Sequence, residues 1–203
     1  MIDAAIPYAK PLAEKFAREN KDERVIYVMG SGPSQQVAYT FSSFILMEMQ
    51  WVDSASFSAG EFFHGPFELV EKGKPFMLLM NDGNTRPMDV RALEFLNRFD
   101  AKTTVVDAKD YGLGNEIPAS VKDYFNPILL DGVLRVYGEA IAEARKHPLT
   151  QRRYMCDVYK RQIKRRAAYE KNGISVGGGS IGGMHSDGVR WNNRCGPGGN
   201  GSS

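Results

Sequence analysis

The first 155 residues contain no cysteine; the chain's two cysteines, Cys156 and Cys195, both come later. A disulfide framework or a thiolate metal site is thereby excluded from that stretch. Long apolar runs are missing too, and none approaches the ~20 residues a membrane-spanning helix needs. The opening residues, MIDAAIPYAKPLAEKFAREN, carry acidic groups and lack the apolar core of a secretion signal. A cytoplasmic protein with no membrane partner is the simple expectation. Excess positive charge is the third absence. The whole chain has a net charge of +2 at pH 7, yet its first 155 residues hold 18 basic against 21 acidic side chains. A slightly acidic body offers no concentrated basic face, so no nucleic-acid partner is expected.

What is present is a regular alternation. Residues 8–20 have amphipathic helical spacing, with Leu12, Ala13 and Phe16 on one side. Arg24–Gly30 (RVIYVMG) reads as a strand that ends in the turn sequence Gly-Ser-Gly-Pro. Pro33 suits the first turn of a helix running to about Gln50. Further strands are expected at Ser54–Ser58, Pro75–Met80, Thr103–Asp107 and Asn126–Asp131. Helices are expected at Pro66–Glu71, at Asp89–Phe99 with Val90, Leu93, Leu96 and Phe99 inward, and from about Gly132 to Lys146. Strands alternating with helices predict a parallel sheet covered on both faces. The expected fold is therefore α/β, a three-layer flavodoxin-like sandwich with a parallel five-stranded sheet. Ligands of such sheets sit beyond the carboxyl ends of the strands, which points to 30–33, 59–66, 81–85 and 107–114.

Two domains are expected, a folded body over 1–155 and a tail over 156–203. Eleven of the 21 glycines follow residue 172, and no hydrophobic period survives there. Such a segment cannot bury enough surface to repay its ordering and is expected to be disordered. The hexapeptide DVYKRQ within it reads like translated sequencing-adaptor sequence, which suggests an assembly junction; a genuine flexible tail is the alternative.

Candidate chemistry lies in the body. His64 falls in AGEFFHGP, just ahead of the helix that Pro66 is expected to open. The positive end of that helix would favour a neutral imidazole, able to exchange protons with a sugar hydroxyl. The same placement suits a histidine that only hydrogen-bonds a turn carbonyl. Glu48 shares the predicted apolar stripe of Val37, Phe41 and Phe44, where partial desolvation would raise its pKa toward a range useful for acid–base work. It equally suits a carboxylate that emerges at the sheet edge and pairs with a cation. Glu61 is a third candidate, or else a cap for backbone N–H groups. Ser31 and Gly32 form a turn whose amides can approach a substrate oxygen. Neither a dinucleotide fingerprint, a P-loop, HExxH nor a nucleophilic serine elbow is present.

Together the strand ending GSGP, the helix ending LMEMQW and the run SAGEFFHGPFELVEKGKPFMLL resemble the second sugar isomerase (SIS) half of glutamine-fructose-6-phosphate aminotransferases and their relatives. The resemblance runs from about Ile6 to Met155. The sixteen residues from Glu48 to His64 match the family's catalytic pair, within a GE-x-x-HGP-x-E motif. Among its branches, the fructosamine-6-phosphate deglycases are the nearer fit. The aminosugar synthases carry a lysine where this chain has Ile45, and PLTQRRY near the end of the body resembles a deglycase terminus. The resemblance implies that His64 assists ring opening, that Glu48 moves a proton between sugar carbons, and that Ser31, Gly32, Glu61 and Arg153 bind substrate. It implies a phosphorylated sugar-amine substrate, no metal or organic cofactor, and a homodimer with shared sites. It also implies a first SIS half that should hold the main phosphate grip. An aminosugar-phosphate isomerase and a non-catalytic phosphosugar-binding regulatory module are the alternatives.

Overall fold

The computed structural model describes residues 2–112 and 117–154. The tail beyond 155 and residues 113–116 lie outside the described residues. The chain divides into two compact units, residues 1–151 and 152–203, and the sheet with all its helices belongs to the first.

Four strands, β1 (Val25–Gly30), β2 (Asp53–Ser58), β3 (Pro75–Met80) and β4 (Lys102–Asp107), form one parallel sheet in the order β2-β1-β3-β4. β3 is buried at all six residues, as a strand covered on both faces must be. Its alternate side chains serve two cores. Met77 and Leu79 join Ile26, Val28 and Val106 on one face, beneath α1 (Ile2–Asn20), α2 (Ser34–Thr40) and α4 (Lys122–Ala144). Phe76, Leu78 and Met80 join Met29 on the other, beneath α3 (Arg86–Arg98) and the segment around Phe62. The three-layer α/β sandwich is therefore present, with four strands rather than five.

The missing strand was expected at Asn126–Asp131, which instead lies inside α4. Its buried residues explain why. Asn126, Leu129, Leu130, Val133, Leu134, Tyr137 and Ile141 recur at three- and four-residue spacing, which makes one helical stripe. Over six residues an apolar run cannot be told from a strand; over twenty-three the helical period dominates. α1 likewise starts earlier than expected and runs through Pro7 and Pro11. Its buried face is Ala5, Ala9, Ala13, Phe16 and Ala17, small residues that seat it against α4, while Leu12 stays exposed. In α3 the inward residues are Asp89, Ala92 and Leu96, so Val90 and Phe99 face solvent.

The helix from Pro33 changes pitch. After Thr40 it continues as a π-helix over Phe41–Met49. A π-helix brings residues five apart onto one face. Phe41 and Leu46 are accordingly buried, and Phe44 is turned outward. The α-periodic stripe that was to carry Glu48 beside Phe44 does not form.

Phe16 is the keystone of the larger core, with its ring 5.6 Å from Tyr137 of α4 and 6.5 Å from Phe41. Replacing Phe16 by Ala removes both ring contacts and opens a cavity between three helices. Urea denaturation should show a loss of about 3–5 kcal/mol. A loss below about 1 kcal/mol would mean that the helices close the gap without it.

Candidate active site

The strand register places the site. Gly30 lies beside Ser58 of β2 and Leu79 of β3, and Met80 lies beside Asp107 of β4. The four carboxyl ends are thus level, and their loops share one edge of the sheet.

Between β1 and β3 these loops are joined by a buried polar network. Ser31 is fully buried, and its hydroxyl donates toward the Thr85 carbonyl (3.1 Å) and Oγ1 (2.9 Å). The Asn81 amide donates to Ser31 Oγ (2.8 Å), Thr85 Oγ1 (2.9 Å) and Asp89 Oδ2 (2.7 Å), which also accepts from the Asn81 backbone N–H. Gly32 adopts φ +51°, and a Cβ there would stand 2.7 Å from Thr85 Oγ1. Only glycine allows the two loops to approach so closely. The Ser31 side chain is spent on this network, and Gly32 is the exposed member of the turn.

Between β3 and β4, Arg86 makes a two-pronged contact with Asp107 (2.8 and 2.5 Å) and donates to the Asn81 carbonyl (2.9 Å). Asp82 pairs with Lys122 at 2.8 Å and Lys109 at 3.7 Å. Burial acts to raise the Asp107 pKa, but the Arg86 hydrogen bond, the Lys109 N–H and both positive charges outweigh it and hold the carboxyl below its ordinary value. Burial alone dominates at Asp89, whose carboxyl is pushed up to about 6 despite its hydrogen bonds. Its Oδ1 is buried without a partner. The sequence reading missed Asn81, Thr85, Arg86 and Asp89 as a unit. The available signal was the polar run NDGNTRP directly after an entirely apolar strand.

A cleft of about 400 Å³ opens at the carboxyl end of β2, walled by Gln35, Ser56, Phe57, Ser58, Glu61, His64 and Pro66. It thus contains His64 and Glu61 from the predicted set. Both are exposed, and the His64 backbone N–H donates to the Glu61 backbone carbonyl at 2.8 Å. The helix expected at Pro66 is a four-residue 3-10 turn, Pro66–Leu69, and the macrodipole invoked for His64 has no helix of useful length to arise from. Glu48 is half-buried near the end of the π-helix and is not part of the cleft wall. Arg153 is exposed and falls in the second unit. Among the described residues, no group of three or more His, Cys, Asp or Glu could hold a metal ion, and no helix is long and apolar enough to cross a membrane.

Comparison with known proteins places this architecture. Residues 21–111 match the SIS domain model, and the chain carries an SIS domain. It is 47% identical over 146 residues to a fructosamine deglycase of Bacillus subtilis, an alignment covering 72% of this chain and 44% of that protein. A fructoselysine 6-phosphate deglycase of Escherichia coli is 32% identical over 90 residues, covering 44% of this chain and 26% of that protein. A solved structure from Salmonella typhimurium described as a phosphosugar isomerase superposes with a TM-score of 0.74 at 48% identity, over 76% of this chain and 47% of that one. The chain spans about half the length of the Bacillus subtilis and Salmonella typhimurium proteins.

The raised Asp89 pKa has a testable sign. The folded state binds this proton more tightly than the unfolded chain, so stability falls as pH rises from about 4 to 6 and stays lower above that range. The cost at neutral pH is on the order of 3 kcal/mol. Asp107, whose pKa is depressed, acts oppositely and loses its contribution as pH falls. Comparing urea unfolding of wild type and Asp89→Asn at pH 4.5 and 7.0 cancels the Asp107 effect. The variant should gain relative to wild type on going to pH 7.0. A difference independent of pH would refute the assignment.

Proposed function

We propose that this chain is the catalytic half of an enzyme that cleaves fructosamine 6-phosphates to a hexose 6-phosphate and a free amine. The observation that carries this reading is the placement of His64. It lies at the carboxyl end of the parallel sheet, in a cleft with Glu61, Ser56 and Ser58, within a chain 47% identical to a fructosamine deglycase. An exposed imidazole in such a cleft can take a proton from the anomeric hydroxyl and return it to the ring oxygen, opening the sugar. Glu48 then removes a proton from C1 of the open ketosamine, giving an enaminol, and returns it to C2. The double bond now lies between C1 and nitrogen, and water hydrolyses that imine to the aldose phosphate and the amine. Ser31 and Gly32 contribute the turn beside the cleft, and Glu61 contributes an acceptor for substrate hydroxyl or ammonium groups.

Two features support a site completed by a second subunit in a homodimer. The cleft wall holds His64 without Glu48, although the proposed chemistry needs both. It also contains no lysine or arginine, so it is poorly suited to gripping a phosphate. A first SIS half would supply that grip. The alternative aminosugar-phosphate isomerase is disfavoured by the surroundings of Ile45. This residue packs on the larger core, and a Cβ on Gly138 of α4 would come within 3.1 Å of it. A lysine in its place would have to leave that contact to reach substrate.

The test is a chimera in which this chain replaces the matching half of the Bacillus subtilis deglycase. Hexose 6-phosphate release from fructoselysine 6-phosphate should be measurable. Glu48→Gln and His64→Asn should each lower turnover by about 10²–10⁴-fold. Mixing the two variants should restore part of the activity, because one hybrid site then inherits both intact residues. Unimpaired turnover by His64→Asn would remove the ring-opening role; synthesis of an aminosugar phosphate instead would favour the isomerase.

A further inference from the structure

His64 stands on a segment that has almost no polar support. Among the described residues, the side chains of 61–70 make no hydrogen bond or ion pair. The segment is instead two 3-10 turns, Phe62–His64 and Pro66–Leu69, closed by backbone bonds at His64, Glu68 and Val70. The two turns meet at Gly65, whose φ of +152° and ψ of −52° suit a residue without a side chain. A short loop hinged on glycine does not by itself hold a neighbouring imidazole in one place.

What holds it is α3. The rings of Phe62, Phe63 and Phe67 all meet one partner, Phe95, at 5.7, 5.5 and 5.8 Å between centroids. The three interplanar angles are 81°, 90° and 87°, the edge-to-face geometry in which positive ring edges meet negative faces. Phe62 is fully buried and reaches on to Phe76 of β3, at 6.4 Å, so the anchor is tied to the sheet itself. Arg91, one turn before Phe95 on α3, lays its guanidinium 4.0 Å from the Phe63 centroid, at a distance suited to cation–π attraction. The residue immediately before His64 is therefore held by both Phe95 and Arg91. None of Phe62, Phe63, Phe67, Arg91 and Phe95 is part of the cleft wall.

We propose that Phe95 and Arg91 of α3 are the positioning residues for His64, acting through Phe62 and Phe63. The role in turnover rests on the reading of His64 as a catalytic residue; the role in placing the ring does not. Edge-to-face contacts need aromatic rings, and an aliphatic residue of similar bulk fills the space without fixing the angle. Loss of the anchor frees the Gly65-hinged loop and lets the imidazole sample several positions while the sheet stays intact.

The full 203-residue chain carries three histidines, His64, His147 and His185, so its imidazole Cε1–Hε1 NMR signals can be followed one by one. Wild type should give a single His64 signal. In Phe95→Leu it should broaden or split, with the His147 signal unchanged as the internal control. Arg91→Gln, an exposed position that puts the fold at little risk, should produce a smaller change of the same kind. It keeps the proposal falsifiable if Phe95→Leu fails to fold. Phe95→Tyr should retain the single signal. In the chimera, Phe95→Leu should lower kcat by about 10-fold or more with KM nearly constant, since misplacement of a proton-transfer group costs rate rather than binding. A sharp, unshifted His64 signal in whichever of Phe95→Leu and Arg91→Gln folds overturns the positioning role, whatever the activity. Full turnover by His64→Asn would instead overturn the functional reading and leave the NMR result standing.

Discussion

Parallel pairing sets β1 beside both β2 and β3, and β3 beside β4, with their carboxyl ends level. Because β3 is buried along its whole length, it cannot slip by a residue without sending Phe76, Leu78 and Met80 into the wrong core. That immobility is what allows the loops above it to be polar. Asn81 leaves the strand buried, and a buried amide must find partners. Ser31, Thr85 and Asp89 provide them, and in doing so lock the turn after β1 to the start of α3. The Arg86–Asp107 pair extends the same bracing to β4.

The supports around the candidate chemistry differ in kind. The Ser31–Gly32 turn is held by short directional hydrogen bonds around a desolvated carboxylate. The His64 loop is held by rings packed against α3. Hydrogen bonds fix atoms at the cost of desolvating every participant, whereas ring packing fixes a segment and leaves its polar groups available to a ligand. An imidazole intended for proton exchange benefits from the second arrangement, because its own nitrogens are not engaged in holding the loop. The π-helix over Phe41–Met49 buries Leu46, turns Phe44 outward and leaves Glu48 half-buried near its end.

Much of the fold was legible in the residues. Four of the five expected strands exist to within a residue; three are short runs rich in apolar or β-branched residues, whereas β2 (DSASFS) is mostly serine. The fifth failed because Pro-Ile-Leu-Leu is apolar at any period, and only contact with α1 shows which residues of α4 are buried. The helix expected over residues 8–20 begins at Ile2, and its alanine face packed on α4 carries it through Pro7 and Pro11. The position of His64, Glu61 and the Ser31–Gly32 turn at strand ends was legible from the motifs that carry them. Asn81, Asp89 and the Phe95 anchor were not, because their partners are contributed by segments distant in the chain.

The sequence by itself therefore determined the layers, the four strands and their order along the chain, and the edge of the sheet at which ligands are expected. These follow from period, turn chemistry and parallel connectivity, which are local properties. Tertiary structure alone decided that Ser31 faces Thr85 and Asn81, that Asp89 keeps a raised pKa, that Phe44 points outward, and that His64 rests on rings of α3. Each of these depends on what a side chain meets after folding. Desolvation, cross-loop hydrogen bonds and ring geometry are set by neighbours that no local pattern names.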